Sequence, residues 1–541
     1  MFEVGKDIFK HGFFNASSDR MGRRRMRIVY YVFVMAFVVF AGRTLWLGIE
    51  GTDRSRRSGS SGEWVAERAD IVDRNGDILA KNIASGHIIL RTQAVEDVEA
   101  VANAIHQAMP YKYSLNQAFE LLNSGRRFVY LEKYASDAQR EIVQNAKQIG
   151  LEIEDIQKRR YPKRRLFSHA VGFVGSNGHG LDGAERTYDD YLNENMDPLQ
   201  LSLDSRIQAV FYDQLSIAMQ KYQAKSAMGM LINSRTGEMI AMVSLPDYDP
   251  ENIGLDPVSN RMFLPMRGVY EMGSTFKIFN TAMAMENGID KEYYVAEPYA
   301  VRNKNGRIVD YITDIRSFKP PRPNLTIEEI MLHSCNVGSA QIALDLPEGT
   351  QQEFFHRLHL DEPLELEFGR TERPLMPRQW GPVERATLSF GHGISVTPMH
   401  LLLAVNAVTN GGIYIYPTLL KRGVGPIRGE RVLDADISAR IRNVMFQVAE
   451  ETSGRQARVA GIQIGGKTAT AEKYENGKVA HKKNLTAFVG IFPVSAPQYT
   501  ILIILDEPHG TKESFGWRTA AWNAVPTAGK ILDSILPLLF E

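Results

Sequence analysis

From residue 201 onward, apolar positions fall into two textures, helical stripes and short apolar runs. Ile207, Phe211, Leu215 and Met219 recur every four residues behind Asp204, a good N-cap, so a helix with one buried stripe is predicted. Met228–Asn233 and Glu238–Ser244 are largely apolar and separated by Ser-Arg-Thr-Gly, which predicts a hairpin with glycine where positive φ is needed. A second hairpin pairs Leu485–Phe492 with Tyr499–Leu505 across Pro493 to Pro497, and a last helix runs from Thr527 to Leu536, stopped by Pro537. Strands at both ends with helices between them imply an α+β domain over 201–541, its mostly antiparallel sheet assembled from distant segments. Residues 63–200 mix short strands such as His87–Leu90 with amphipathic helices around Val95–Ala108 and Asp137–Lys147. No catalytic constellation stands out there, so this block reads as a pedestal or partner-docking domain. The chain has no internal repeat.

The N-terminus follows another rule. Ile28 to Gly42 is uninterrupted by charge, and with Arg43 to Ile49 it makes about 22 residues, roughly 33 Å of helix, enough to cross a bilayer. Arg43 lies near the far end, where it can snorkel, and Trp46 suits an interfacial anchor. Residues 1–27 carry seven Lys or Arg against three acids, so they stay inside and the rest of the chain faces outward. A cleavable signal peptide is the competing reading; its apolar region would be shorter, and no small-x-small site follows Ile49. Residues 50–62, rich in Gly, Ser and Arg, read as a flexible tether.

Composition narrows the function. Lys plus Arg (63) balances Asp plus Glu (63), and no basic stripe with interleaved aromatics appears, so no nucleic-acid partner is indicated. The single Cys335 excludes an intrachain disulfide framework. The 12 histidines include no His-Glu-x-x-His, and His356 and His359, three apart on a predicted helix, read as an exposed pair rather than metal ligands.

Three short elements carry chemistry. Gly273-Ser274-Thr275-Phe276-Lys277 opens a helix, and a spacing of three places the Lys277 amine one turn beyond the Ser274 hydroxyl on the same face. A hydroxyl is a weak nucleophile, and a desolvated amine can take its proton, while free N–H groups at the helix start can bind an oxyanion. A capping box, Thr326 and Glu329, starts a short helix ending at His333, after which Ser334 and Asn336 sit in a turn before the next helix. There Ser334 can relay a proton and the Asn336 amide can bind a peptide group. Gly465 to Ala471 is a small-residue strand that another backbone can approach, with Lys467 and Thr468 able to hold a carboxylate. Gly461 to Thr468 also matches the phosphate-binding Walker pattern, but a polar Asn-Gly turn follows where that loop needs a helix. Each element alone has an ordinary reading, as a solvated helix start or a turn.

Together, Ser-x-x-Lys, Ser-x-Asn and Lys-Thr-x in this order resemble the penicillin-binding proteins and serine β-lactamases. Tyr270–Lys277, Arg68–Ala80, Gly180–Arg186 and Leu201–Gln208 look like class B penicillin-binding proteins, and Phe390–Met399 looks like the division-specific branch, FtsI. The resemblance implies a penicillin-binding transpeptidase domain on an N-terminal pedestal with one membrane anchor in the cytoplasmic (inner) membrane, the catalytic domain in the periplasm. It implies that Ser274 attacks the bond between the terminal D-alanines of a peptidoglycan stem peptide with Lys277 as base, and that a neighbouring strand's amine completes the cross-link during septal synthesis. Ser334 and Asn336 would serve leaving-group proton transfer and substrate binding, and Lys467 and Thr468 the donor carboxylate. The N–H groups of Ser274 and Thr470 would form the oxyanion hole. No cofactor or metal is implied; β-lactams would be covalent inhibitors, and a polytopic glycan polymerase and division proteins would be partners, with Arg43 a candidate contact. Two positions depart from the family pattern: Ala469 stands where glycine is usual, its methyl expected to narrow the cleft beside the edge strand, and Met272 replaces proline. Ala469 and the docking-type N-terminal domain leave room for a catalytically silent division scaffold; an elongation-specific transpeptidase, a carboxypeptidase and a β-lactam sensor are the enzyme-class alternatives.

Overall fold

The computed structural model describes residues 30–38, 40, 41, 43, 68–315, 318–423, 427, 429–475 and 478–540. The chain forms two units, Met1–Val65 and Ala66–Glu541. In the first, the described residues from 30 to 43 are helical and exposed. No helix among the described residues is long and apolar enough to cross a membrane. The predicted span 28–49 lies partly outside the described residues, and the tail 1–27 and tether 50–62 lie wholly outside them.

The second unit begins with the pedestal. Its strands are β1 (Ile71–Val72), β2 (Ile78–Leu90), β3 (Val129–Glu132), β4 (Leu151–Arg160) and β5 (Leu199–Gln200). Helices α1 (Val98–Ala108), α2 (Leu115–Leu122) and α3 (Asp137–Ala146) cover one end, with the ends of α2 and α3 set by Ser114 and Ser136 capping boxes. The strand expected at His87–Leu90 is the last third of a 13-residue strand, because β2 pairs with β4 along Lys81–Leu90, with β3 along Ile88–Leu90 and with β1 at Ile78 and Ala80. Such pairing extends a strand through polar residues that carry no apolar signal.

Arg68 and the Gly180–Arg186 stretch meet in space. Glu185 accepts from Arg68 Nε and Arg159 Nε, each at 2.7 Å. Asp73 ties the pedestal to the next layer: its carboxylate accepts from the N–H groups of Asn75 and Asp77 in its own turn and from Ser205 N at 2.9 Å. That last contact lies at the start of α4 (Ser205–Lys221), where Asp204 is the N-cap, as its position predicts.

A five-stranded antiparallel sheet forms the heart of the molecule. β6 (Ser226–Asn233) and β7 (Met239–Leu245) are the first predicted hairpin; β8 (Gly465–Glu475), β9 (Lys478–Phe492) and β10 (Tyr499–Asp506) come from the C-terminal end, giving the order β8-β9-β10-β6-β7. Alternation along β10 sends Ile501, Ile503 and Leu505 to one core and Leu502 and Ile504 to the other. The first core lies under α4, through Ile207, Phe211 and Leu215, and under α10 (Ala524–Leu539). On the opposite face lie α5 (Lys277–Glu286), α6 (Ile327–Leu332), α7 (Asn336–Asp345), α8 (Pro398–Thr409) and α9 (Ala435–Glu451). Because both faces are covered, β6 and β10 are buried almost throughout and read as continuous apolar runs. The last helix starts three residues before its predicted beginning and runs through Pro537 to Leu539. Only one hydrogen bond near the C-terminal end is forfeited there, and the buried Ile535 and Leu536 hold the turn in place.

Candidate active site

Ser274 sits in a single 3-10 turn, Gly273–Phe276, that runs directly into α5. Gly273 has φ +51°, and a Cβ there would stand 3.3 Å from the Ala471 methyl and 3.7 Å from that of Ala469. Glycine is therefore needed for the backbone and suits the close approach of β8. Lys277 is fully buried and donates to Ser274 Oγ at 2.9 Å and to Asn336 Oδ1 at 2.7 Å. Burial pushes the amine down to about 8, opposed by the negative charge of Asp314. At pH 7 about a tenth of the amine is then neutral, and a neutral amine at this distance can accept the hydroxyl proton.

The Thr326–Glu329 capping box starts α6 as the sequence predicts. Ser334 follows with φ +60°, a left-handed conformation that a non-glycine residue keeps only when its surroundings enforce it. Cys335 caps α7, so Asn336 is the first helical residue rather than part of a free turn. Lys467 donates to Ser334 Oγ at 3.1 Å and to Thr468 O at 3.2 Å. It too is fully buried, and burial followed by repulsion from Lys277 holds its pKa well below the usual lysine range.

β8 is the edge strand of the central sheet, so alternate backbone groups along it are open to an incoming chain. The strand continues unbroken through Lys467-Thr468, which rules out the helix that a Walker loop requires. The pleat places Lys467, Ala469 and Ala471 on the face toward Ser274. Ala469 is 3% exposed, so its methyl is packed inward near Gly273 and does not project beside the edge as expected. Met272 is likewise fully buried in the core. Thr468 Oγ1 lies 2.8 Å from Ser453 Oγ, and Thr470 Oγ1 accepts Ala520 N–H at 3.0 Å. All seven sequence-derived residues, Ser274, Lys277, Ser334, Asn336, Lys467, Thr468 and Thr470, thus lie on the elements surrounding one cleft.

Other contributors escaped the motif reading. Phe390–Gly393 forms a strap against the nucleophile turn: a Cβ on Gly391 (φ +80°) would fall 2.2 Å from Gly273 O. The Phe390 ring lies 5.6 Å from Lys277 Nζ and helps to desolvate it, and Gly393 N–H donates to Glu271 Oε1 at 2.9 Å. His392 is held down at about 4 by burial and by Lys277, hence neutral at neutral pH. Asp314 and Ser453 also reach motif residues, and neither belongs to a spacing pattern that points to it. His356 and His359 differ from expectation. His356 is exposed at the end of its helix, whereas His359 lies beyond it with φ +53°, half-buried and bonded to Glu362 at 2.8 Å.

The lysine-assisted serine, the Ser-x-Asn turn and the open Lys-Thr strand, set on an antiparallel sheet between helical layers, define a serine acyltransferase of the penicillin-binding type. Residues 227–526 match the model of the penicillin-binding protein transpeptidase domain, and residues 63–205 that of the penicillin-binding protein dimerisation domain. The chain belongs to the class B penicillin-binding proteins of FtsI type. It is 33% identical over 528 residues to a probable peptidoglycan D,D-transpeptidase FtsI of Caulobacter vibrioides, covering 94% of this chain and 88% of the relative. To the peptidoglycan D,D-transpeptidase FtsI of Escherichia coli it is 26% identical, over 93% of this chain and 90% of that protein. The crystal structure of a peptidoglycan synthetase from Bifidobacterium adolescentis has the same fold, with a TM-score of 0.65 at 17% identity over 88% of this chain and 95% of that one.

Proposed function

We propose that this chain is a peptidoglycan D,D-transpeptidase that cross-links stem peptides during septal wall synthesis, with Ser274 as the acylated residue. The carrying observation is the buried Lys277 amine, 2.9 Å from Ser274 Oγ and held down at about 8. Ser274 Oγ attacks the carbonyl carbon between the two terminal D-alanines as its proton passes to Lys277 Nζ. The oxyanion rests on the N–H groups of Ser274 and Thr470, and collapse breaks the C–N bond. The proton held on Lys277 Nζ then passes by way of Ser334, backed by Lys467, to the departing D-alanine amine, which leaves Lys277 neutral again. An acceptor amine then attacks the acyl-enzyme carbonyl and gives a proton to the neutral Lys277 Nζ, which returns it to Ser274 Oγ as the ester C–O bond breaks. Before attack, Thr468 and Lys467 hold the donor's terminal carboxylate, while Asn336 orients the peptide.

This reading includes a single-pass anchor at 28–49 in the cytoplasmic membrane, the tether 50–62, the pedestal 63–200 and the transpeptidase domain 201–541 in the periplasm. It also includes a polytopic glycan polymerase and division proteins as partners. Support comes from the charge asymmetry around the apolar segment and from the names carried by the relatives. A labelled penicillin tests the chemistry: the full chain should be tagged covalently on the peptide holding Ser274, and Ser274→Ala should take no label. No label on either form would leave a division scaffold.

A further inference from the structure

A loop outside every motif reaches the site from the side of α7. It follows a two-stranded hairpin, Tyr299–Arg302 with Ile308–Ile312, and carries Thr313 and Asp314. Asp314 Oδ1 accepts the Asn336 backbone N–H in a short contact, and Oδ2 accepts the Cys335 thiol at 3.2 Å. Cys335 Sγ in turn accepts Gly338 N–H at 3.2 Å, so two N–H groups left over at the start of α7 find partners through this pair. Thr313 O accepts Asn336 Nδ2 at 3.4 Å. The amide therefore has one orientation, its nitrogen toward Thr313 O and its oxygen toward the Lys277 amine at 2.7 Å.

We infer that Asp314 is a positioning residue for the acylation proposed above: it fixes the Ser334-Cys335-Asn336 turn and, through Asn336, the place of the Lys277 amine. The role rests on that acylation reading. Asp314 also sets the electrostatics of the amine. The groups facing Lys277 are Asp314 from the loop, Cys335 from the turn, Lys467 from β8 and His392 from the strap. Burial, with Asp314 beside it, pushes the Cys335 thiol up to about 12, and His392 sits at about 4, so both are neutral across the working range. Asp314 is thus the negative group opposing proton loss from Lys277.

The test is the pH profile of penicillin acylation by the full chain. Asp314→Asn should move the acid limb to lower pH, because the amine loses a stabilising negative charge, and should lower the plateau about tenfold as the turn loosens. Asp314→Glu restores charge with displaced oxygens, so the limb should stay at the wild-type pH while the plateau falls. An Asp314→Asn profile with an unmoved limb would overturn the inference, whatever its plateau. Should that variant fail to fold, the Cys335 pair decides: Cys335→Ser keeps a donor for Asp314 and should acylate faster than Cys335→Ala, and equal rates would overturn it. Failure of the wild type to label would instead sink the acylation reading itself.

Discussion

Arg68 and Arg159 in the pedestal are 5% and 3% exposed, and they share Glu185, which is fully buried, at 2.7 Å on each side. In the cleft, Lys277 and Lys467 are as deeply buried, yet among the described residues neither donates to a carboxylate; their partners are hydroxyl, amide and carbonyl oxygens. Both regions meet the same cost of taking a cation out of water, and they resolve it oppositely. The pedestal keeps its charges and, with Asp189 2.7 Å from Arg68 Nη1 as the second acid, cancels them, which makes a rigid joint. By withholding a counter-ion at bonding distance, the cleft lets desolvation strip protons from its lysines, leaving an amine that can act as a base. Arginine suits the first task because it never deprotonates, and lysine suits the second because it does.

Three substitutions put this contrast to the test. The largest effect is expected from Lys277→Met, which should cut penicillin acylation by about 10²–10⁴ while leaving thermal stability unchanged or higher, since an uncompensated buried amine is replaced by an apolar chain. The wild-type rate should climb with pH through about 8, because the folded-state pKa of Lys277 lies below its ordinary value and the neutral form accumulates above it. A flat profile from pH 6 to 9, measured by rapid-quench labelling, would contradict that account. Next comes Glu185→Ala, which leaves the buried Arg159 without a carboxylate and Arg68 with Asp189 alone, and should cost about 3–5 kcal/mol in urea unfolding. A loss below about 1 kcal/mol would mean that water reaches the cluster and that the pedestal pairing is not what distinguishes it. Smallest is Ala469→Gly: with the methyl packed inward, stability should fall by about 0.5–1 kcal/mol and acylation should hardly change. A gain above about tenfold, or 1.4 kcal/mol of barrier, would show that the methyl hinders the substrate after all.

Much of the architecture was legible because its causes are local. Asp204 and the stripe behind it, the two hairpins and the Thr326 capping box depend on residues a few positions apart, and the structure has them where the patterns place them. The same holds for Ser274 and Lys277, whose separation is set by one helical turn. Strand β2 was underestimated because pairing, not composition, extends it, and the inward turn of the Ala469 methyl follows from the pleat of a strand whose register the sequence does not state.

What the chain's order of residues settles by itself is therefore chemistry at short range: a hydroxyl beside an amine, a capped turn carrying Ser334 and Asn336, and a small-residue strand carrying Lys467. Only the fold decides whether that amine is a base. The Ser334–Lys467 contact spans 133 positions, and the Phe390 ring and Asp314 come to Lys277 from still other segments. Proton affinity depends on how much water and how much opposing charge surround a group, and both are set by which distant elements pack against it.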